Sequence, residues 1–154
     1  MPDFVFAVDD LSGDATRALV AHHLTGMHAS SPPESVFALD IDGLRRPDVT
    51  FFSARLGDEV VAIGALKTID PANGELKSMR VADGHLGTGA GRAMLRHLLA
   101  EARIRGMHTV WLETGSTDDF VPARRLYAAE GFVACGPFGD YPENPFSVFM
   151  ATSL

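Results

Sequence analysis

Residues 75–105 read ELKSMRVADGHLGTGAGRAMLRHLLAEARIR, and this segment is the most informative part of the sequence. Its first seven residues have the composition of an extended segment, glycines follow at positions 87, 89 and 91, and a long helix is predicted to run on to Gly106. A strand that leads through a glycine turn into a helix forms an anion site. The first amides of the helix have no partner within it, and glycine lets a phosphate approach closely. The stretch therefore predicts a bound phosphate or pyrophosphate.

The spacing of these glycines excludes two common phosphate-binding motifs. The dinucleotide pattern Gly-x-Gly-x-x-Gly would need a glycine where the chain has Arg92 or Met94. A Walker loop that begins at Gly84 would need a lysine after Gly89, where the chain has Ala90. Both motifs fail at residues that they require.

The loop resembles the pyrophosphate loop of the GNAT superfamily, the acetyl-CoA-dependent N-acetyltransferases, whose pattern Arg/Gln-x-x-Gly-x-Gly/Ala falls on residues 86–91. The chain also resembles these enzymes in the strand before the loop and in ARRLYAAEGF, residues 123–132, after it. Segments 31–35, 137–141 and 147–150 look like a bacterial branch of acetyltransferases of unsettled substrate. One departure is Leu86, which replaces the Arg or Gln of the pattern and leaves the backbone amides as the anion donors.

The resemblance implies an α/β GNAT fold, in which a central mixed, mostly antiparallel sheet with a splayed parallel strand pair is flanked by helices. The residue patterns predict the element order β-α-α-β-β-β-α-β-α-β-β. Because a helix crosses between the extended segments at 75–81 and 109–114, these two strands are predicted to be parallel neighbours. The carboxyl end of the second strand should then open beside the glycine loop.

The first part of the chain predicts two helices. The first should start at a cap provided by Ser12 or Asp14 and end near Leu24. A proline-broken loop at 28–35 precedes a short second helix, predicted over residues 36–39. In proteins of this family the segment between the two helices usually lines the acceptor pocket, although polar loop residues are as often merely solvated.

Composition limits the class of protein. A length of 154 residues predicts one domain, residues 1–154, and no apolar run approaches the roughly 20 residues of a membrane span. The net charge of −7 argues against nucleic acid as a partner. One cysteine and a start without a secretory pattern predict a cytoplasmic protein. His22 and His23 diverge by about 100° on a helix, so they predict no metal site.

The resemblance implies acetyl-CoA as the cosubstrate. The loop amides would bind its pyrophosphate, and main-chain groups of the preceding strand would bind its pantetheine arm. The cofactor-binding residues would then be Met79, Arg80, Val81, Gly87, Thr88, Gly89, Ala90, Gly91 and Arg92. The N–H of Met79 or Arg80 is the candidate oxyanion donor. Phe120 stands where many family members carry an asparagine that holds the pantetheine arm, so another group must replace that contact or it is absent.

Two catalytic residues follow from the same resemblance. Tyr127 matches the tyrosine that protonates the leaving thiolate in many members, although it could also be a packed tyrosine whose hydroxyl is satisfied by water. Glu75 lies where some members carry a catalytic glutamate, and a partly desolvated carboxylate there could take the ammonium proton. Alternatively, Glu75 pairs with Lys77 or another cation as a solvated charge.

The acceptor pocket is predicted between the loop after the first helix, the ends of the parallel strands and the late loop at 136–142. Its candidate substrate-binding residues are His28, Ser31, Glu34, Glu113, Asp140 and Tyr141. Carboxylates outnumber cations in this set, which favours a small amine or amino-acid-like acceptor over an anionic one.

Together these features predict an acyltransferase, specifically an N-acetyltransferase that moves an acetyl group to a primary amine of a small molecule by direct attack in a ternary complex. A metal or serine hydrolase is excluded by the lack of ligand spacing and of a Gly-x-Ser-x-Gly elbow. A domain of the same fold that binds acyl-CoA as a sensor without transferring anything is the alternative. A homodimer is compatible with the resemblance, because many relatives are dimers.

Overall fold

A mixed sheet of seven strands, in the order β1-β2-β3-β4-β5-β7-β6, organises residues 3–154, the part of the chain that the computed structural model describes. The strands are β1 (Val5–Val8), β2 (Val49–Leu56), β3 (Glu59–Asp70), β4 (Asn73–Val81), β5 (Thr109–Gly115), β6 (Val133–Cys135) and β7 (Ser147–Ser153). The helices are α1 (Asp14–Ser30), α2 (Ile41–Leu44), α3 (Ala90–Ile104) and α4 (Val121–Ala129). This order confirms the predicted fold.

Helices cover both faces of the sheet and enclose two clusters of buried side chains. The larger cluster contains the inner face of α3, where Met94, Leu95, Leu98, Leu99 and Ala102 are all buried. The smaller cluster holds side chains from α1 and α2. Ala65 and Leu66, adjacent residues of β3, belong to different clusters, as expected for a strand with apolar residues on both faces.

Strands β4 and β5 are parallel neighbours over only half of their length. Their pairing ends at Leu76 opposite Leu112, while β4 continues along β3 as far as Val81. The β3–β4 register slips by one residue beside Ser78, whose φ of 55° lies in the left-handed region. A bulge of this kind bends its strand, so β4 turns away from β5. The predicted splayed pair is thus confirmed.

The first two helices differ from their predicted bounds. Helix α1 continues beyond Leu24 to Ser30, because Gly26 is accommodated inside it and no residue stops it before Pro32. Neither Ser12 nor Asp14 caps it with a side chain. The segment 36–39 is not helical either. Helix α2 starts after Asp40, whose Oδ1 accepts a hydrogen bond from the Gly43 amide at 2.8 Å.

Within residues 3–154, the helices are all too short or too polar to cross a membrane.

Candidate active site

A cavity of about 690 Å³ opens where β4 and β5 part, a volume typical of small-ligand sites. Residues of both strands line it, together with one face of α1, the glycine loop and the start of α4. Beyond Leu76, the edge of β4 that faces β5 pairs with no strand of residues 3–154. Such an edge offers N–H and C=O groups to an extended ligand. Met79, Arg80 and Val81, the predicted cofactor-binding residues of this strand, line the cavity.

The glycine loop ends on the first turn of α3. Gly87 and Gly89 have φ values of 75° and 89°, which explains why glycine occupies both positions, and Gly89 is the N-cap of the helix. Among residues 3–154, the first-turn amides from Ala90 to Arg92 have no hydrogen-bond partner. These donors and the helix dipole create an anion site at the cavity wall.

The side chains of Thr88 and Arg92, two of the predicted loop residues, have partners within the protein. Thr88 is absent from the cavity wall, and its hydroxyl donates to the carbonyl of His85. Arg92 lines the cavity, but its side chain pairs with Glu130, with Nε and Oε1 3.0 Å apart. Its amide, rather than its guanidinium, therefore belongs to the anion site.

Two residues of the cavity wall replace side chains that are typical of the family pattern. Leu86 is 65% exposed and adds only an apolar surface beside the loop. The ring of Phe120 lies over Gly115, where a Cβ atom would be 2.1 Å from the ring. Gly115 is therefore required for Phe120 to occupy this place, and an apolar ring contacts the ligand space where an amide was expected.

Tyr127 projects from α4 into the cavity wall and is only 8% exposed. Its ring packs edge-on against Phe132 at a centroid distance of 5.8 Å. Burial raises the pKa of Tyr127 to about 12, against the opposing charge of Arg80. The phenol is therefore protonated at neutral pH and can donate a proton.

Glu75 is buried at the start of the cavity, and its carboxylate has two partners. Lys77 donates to Oε2 from 3.2 Å, and the hydroxyl of Tyr141 donates to the same oxygen. Lys77 also lies 2.7 Å from the Tyr141 hydroxyl. The pairing of Glu75 with Lys77, left open by the sequence, is present, but as a buried rather than a solvated ion pair.

Glu113 faces the same cavity from β5, and within residues 3–154 no cation lies within 4.0 Å of its carboxyl group. Burial raises the pKa of Glu113 to about 7, while Ser147 and the charge of Lys77 oppose the shift. The carboxyl group is therefore close to half ionised at neutral pH, which is the property of a general base that works there.

Because the pKa of Glu113 is raised, replacing its carboxyl with a neutral group should stabilise the folded protein. Between its ordinary pKa of 4.5 and about 7, the folded protein holds a proton that the unfolded chain releases, so stability falls as the pH rises through this range. At pH values above this range, the ionised carboxyl of Glu113 lowers the free energy of unfolding by up to about 3 kcal/mol. Glu113→Gln should therefore raise the free energy of unfolding at about pH 8 and leave it nearly unchanged near pH 4.5. Denaturant titration at both pH values measures this.

Glu34→Gln, which removes an exposed carboxylate, provides the control for that measurement. It should leave stability nearly unchanged at both pH values. An equal effect of Glu113→Gln at both pH values would show that burial does not hold a proton on Glu113.

The predicted acceptor residues fall into two groups. His28, Ser31 and Glu34 do not line the cavity: His28 lies on the exposed side of the extended α1, and Glu34 is exposed in the turn after it. Glu113 lines it, and Asp140 and Tyr141 line an adjoining cavity of about 370 Å³ that shares Glu75 with the first.

Sequence reasoning missed the face of α1 that does line the cavity. It consists of His23, Gly26, Met27 and Ser30. Their spacing of three and four residues marks one helix face, so the signal was present. It was hidden because the helix was predicted to end before most of them.

Residues 3–154 contain no group of three or more His, Cys, Asp or Glu side chains that could hold a metal ion. The cavity wall combines main-chain donors with Tyr127, four carboxyl groups and three cations; the carboxyl groups are those of Glu75, Asp83, Glu113 and Asp119, and the cations are Lys77, Arg80 and Arg92.

Comparison with known proteins identifies the family of the chain. The model of the acetyltransferase (GNAT) family matches residues 16–132. A Bacillus subtilis protein named as an uncharacterized N-acetyltransferase, YsnE, is 48% identical over 147 residues, which are 96% of this chain and 97% of the relative. An IAA acetyltransferase from Azospirillum brasilense is 35% identical over 156 residues and covers 100% of both chains.

A GNAT family acetyltransferase from Elizabethkingia anophelis, solved with acetyl-CoA bound, superposes with a TM-score of 0.66 at 15% identity and covers 100% of both chains. The match to this solved structure shows a shared fold only, whereas the family model and the two relatives match the amino-acid sequence. The chain therefore belongs to the acetyltransferase (GNAT) family and is an acetyltransferase enzyme.

Proposed function

We propose that this enzyme transfers an acetyl group from acetyl-CoA to a primary amine of a small molecule, by direct attack in a ternary complex. The observation that carries the proposal is a single cavity that joins a helix-start anion site, an open strand edge and two groups suited to proton transfer. Phosphate, an extended arm and a reacting carbonyl are the three parts of acetyl-CoA that these features match.

In this proposal the amides at the start of α3 bind the pyrophosphate, and the open edge of β4 binds the pantetheine arm. The arm extends β4 as an added strand would, through the main-chain groups of Met79 to Val81. An N–H of Met79 or Arg80 then stabilises the oxyanion that forms on the thioester carbonyl. Phe120 covers the arm with an apolar ring where relatives use an amide.

The proton transfers are assigned to Glu113 and Tyr127. Glu113 accepts a proton from the bound ammonium, and the free amine attacks the thioester carbonyl. The C–S bond breaks as the tetrahedral intermediate collapses, and Tyr127 gives its proton to the departing thiolate. The new amide nitrogen then loses its extra proton to solvent, and the Tyr127 phenolate takes up a proton in turn. The pKa of Glu113, raised by burial to about 7, supports its assignment. The assignment of Glu75 as the base stays a prediction. Its contacts with Lys77 and Tyr141 favour a role in positioning these two side chains.

The acceptor is proposed to enter beside α1 and the late loop. Met27 and Phe37 supply apolar walls there, and Phe37 packs on Tyr141 at a centroid distance of 5.1 Å. A concave cavity of about 690 Å³ favours a small molecule over a protein tail. A cytoplasmic location remains part of the proposal, in keeping with acetyl-CoA as the cosubstrate.

Release of free thiol from acetyl-CoA across a panel of small amines tests the proposal. Thiol release that depends on one class of amine, with stoichiometric acetylated product, would support it. Tight acetyl-CoA binding without thiol release for any amine would instead support the sensor alternative.

Tyr127→Phe is expected to slow acetyl transfer by roughly 10- to 1,000-fold, a range that allows for protonation of the thiolate by water. Packing is preserved because only the hydroxyl is lost, so the dissociation constant of acetyl-CoA should change little. Steady-state kinetics and a binding titration separate the two effects. An unchanged kcat would assign Tyr127 a structural role.

A further inference from the structure

Arg80 is a cation on the cavity wall whose side chain is held by α1. Its Nε donates to Nδ1 of His23 at 3.0 Å, and one of its terminal nitrogens, Nη2, lies 3.5 Å from the His23 carbonyl. A Cβ atom at Gly26 would lie 2.8 Å from the same Nη2. The missing side chain at Gly26 therefore makes room for the guanidinium against the helix.

This cation lacks the carboxylate that a partly buried arginine usually has. Among residues 3–154, Lys77 forms an ion pair with Glu75, whereas no carboxylate lies within 4.0 Å of Arg80. His23 does not compete for the charge, since burial and the charge of Arg80 lower the pKa of His23 to about 4 and keep it neutral. The other terminal nitrogen, Nη1, has no hydrogen-bond partner in the same described range. An anion is the partner that such a group lacks.

The direction of the side chain indicates which anion it can reach. Met79 packs toward Met94 and Leu98 of α3 around Gly64, and Arg80, the next residue, points to α1 on the other side. The glycine loop leads into α3, so the guanidinium is aimed at the part of the cavity that α1 lines. Asp83 lies near Arg80, and its charge opposes the lowering of the pKa of Arg80 by burial.

We infer that Arg80 binds a carboxylate of the acceptor, so that the acceptor is an amino acid or a similar amine that carries a carboxylate. This inference rests on the proposed function and specifies its substrate class. Arg80 holds the carboxylate on the α1 side of the cavity while Glu113, across the splay on β5, faces the ammonium group. His23 and Gly26 position the guanidinium and do not touch the substrate.

Matched pairs of acceptors test the inference. Phenylalanine with phenethylamine and leucine with isopentylamine differ by one carboxylate. In the wild type, kcat/KM should favour the amino acid of each pair by roughly 10- to 100-fold, the size of one charge-assisted contact. Arg80→Gln should remove this preference mainly through KM, while the dissociation constant of acetyl-CoA changes less than about threefold.

Two further variants distinguish an effect of the position of the Arg80 guanidinium from an effect on folding. Gly26→Ala keeps the charge and adds a better helix former, but displaces the guanidinium, so the preference should fall part of the way. Arg103→Gln, which removes an exposed cation from α3, is the matched control and should leave the preference unchanged.

Calorimetric titration of the CoA-bound protein with phenylalanine and with phenethylamine gives a readout without turnover. If no amine releases thiol, the proposed function fails, and the titration still decides whether the site prefers a carboxylate. Equal binding of both compounds by the wild type would overturn the inference. So would a preference that persists in Arg80→Gln, or a loss of acetyl-CoA affinity there with the preference intact, which would assign Arg80 to the phosphates of CoA.

Discussion

Gly89→Val is expected to weaken acetyl-CoA binding by at least roughly 100-fold. Gly89 is the N-cap of α3 and has a φ of 89°, which a β-branched residue does not tolerate, so the loop must reorient its amides. Hydrogen bonds to charged groups contribute about 1.5–3 kcal/mol each. Losing two of them accounts for the expected loss. A binding titration with acetyl-CoA measures it.

Gly84→Val is the matched control for this experiment. Gly84 lies in the short turn just before the loop, its φ is not positive, and no atom lies within 4 Å of an added Cβ. It should bind acetyl-CoA almost normally. Gly91→Val is expected to impair binding too, but its Cβ would approach Val81 to 3.2 Å, so it also tests packing. Wild-type affinity in Gly89→Val would refute a pyrophosphate site at this loop.

Glu113→Gln is expected to lower kcat by roughly 100- to 10,000-fold near neutral pH, the range for loss of a general base. The deficit should shrink as rising pH deprotonates the amine without help. Stability should not fall with activity, because removing a buried carboxyl with a raised pKa stabilises the protein above neutral pH. Loss of rate together with a gain in stability distinguishes lost chemistry from misfolding. Rate profiles between about pH 6 and pH 10 provide the measurement.

Glu75→Gln, measured over the same pH range, decides between the two carboxylates. If Glu113 is the base, Glu75→Gln should show a deficit of similar size at every pH, because it disturbs the contacts with Lys77 and Tyr141. If Glu75 is the base, the pH-dependent deficit should appear in Glu75→Gln. A deficit independent of pH in both variants would leave neither carboxylate as the base.

Local patterns carried most of the fold. The glycine loop, the helix after it and the crossover between parallel strands depend on residues close together in sequence, and all three were predicted. The end of α1 was predicted wrongly, because a glycine inside a helix is a weak stop signal that packing overrides. Gly26 is accommodated because it receives the side chain of Arg80.

The sequence alone was enough for the family resemblance and for the predictions of an anion site at the start of α3, of Glu75 as the base and of Tyr127 as the acid, whereas it placed Glu113 only among the acceptor residues. The charge and the contacts of each candidate side chain depend on the tertiary structure. Tyr141 reaches Glu75 across 66 residues of sequence, and Arg80 reaches His23 across 57. Burial and contacts between such distant residues set the pKa of Glu113 and the partners of Glu75, and no local periodicity encodes them.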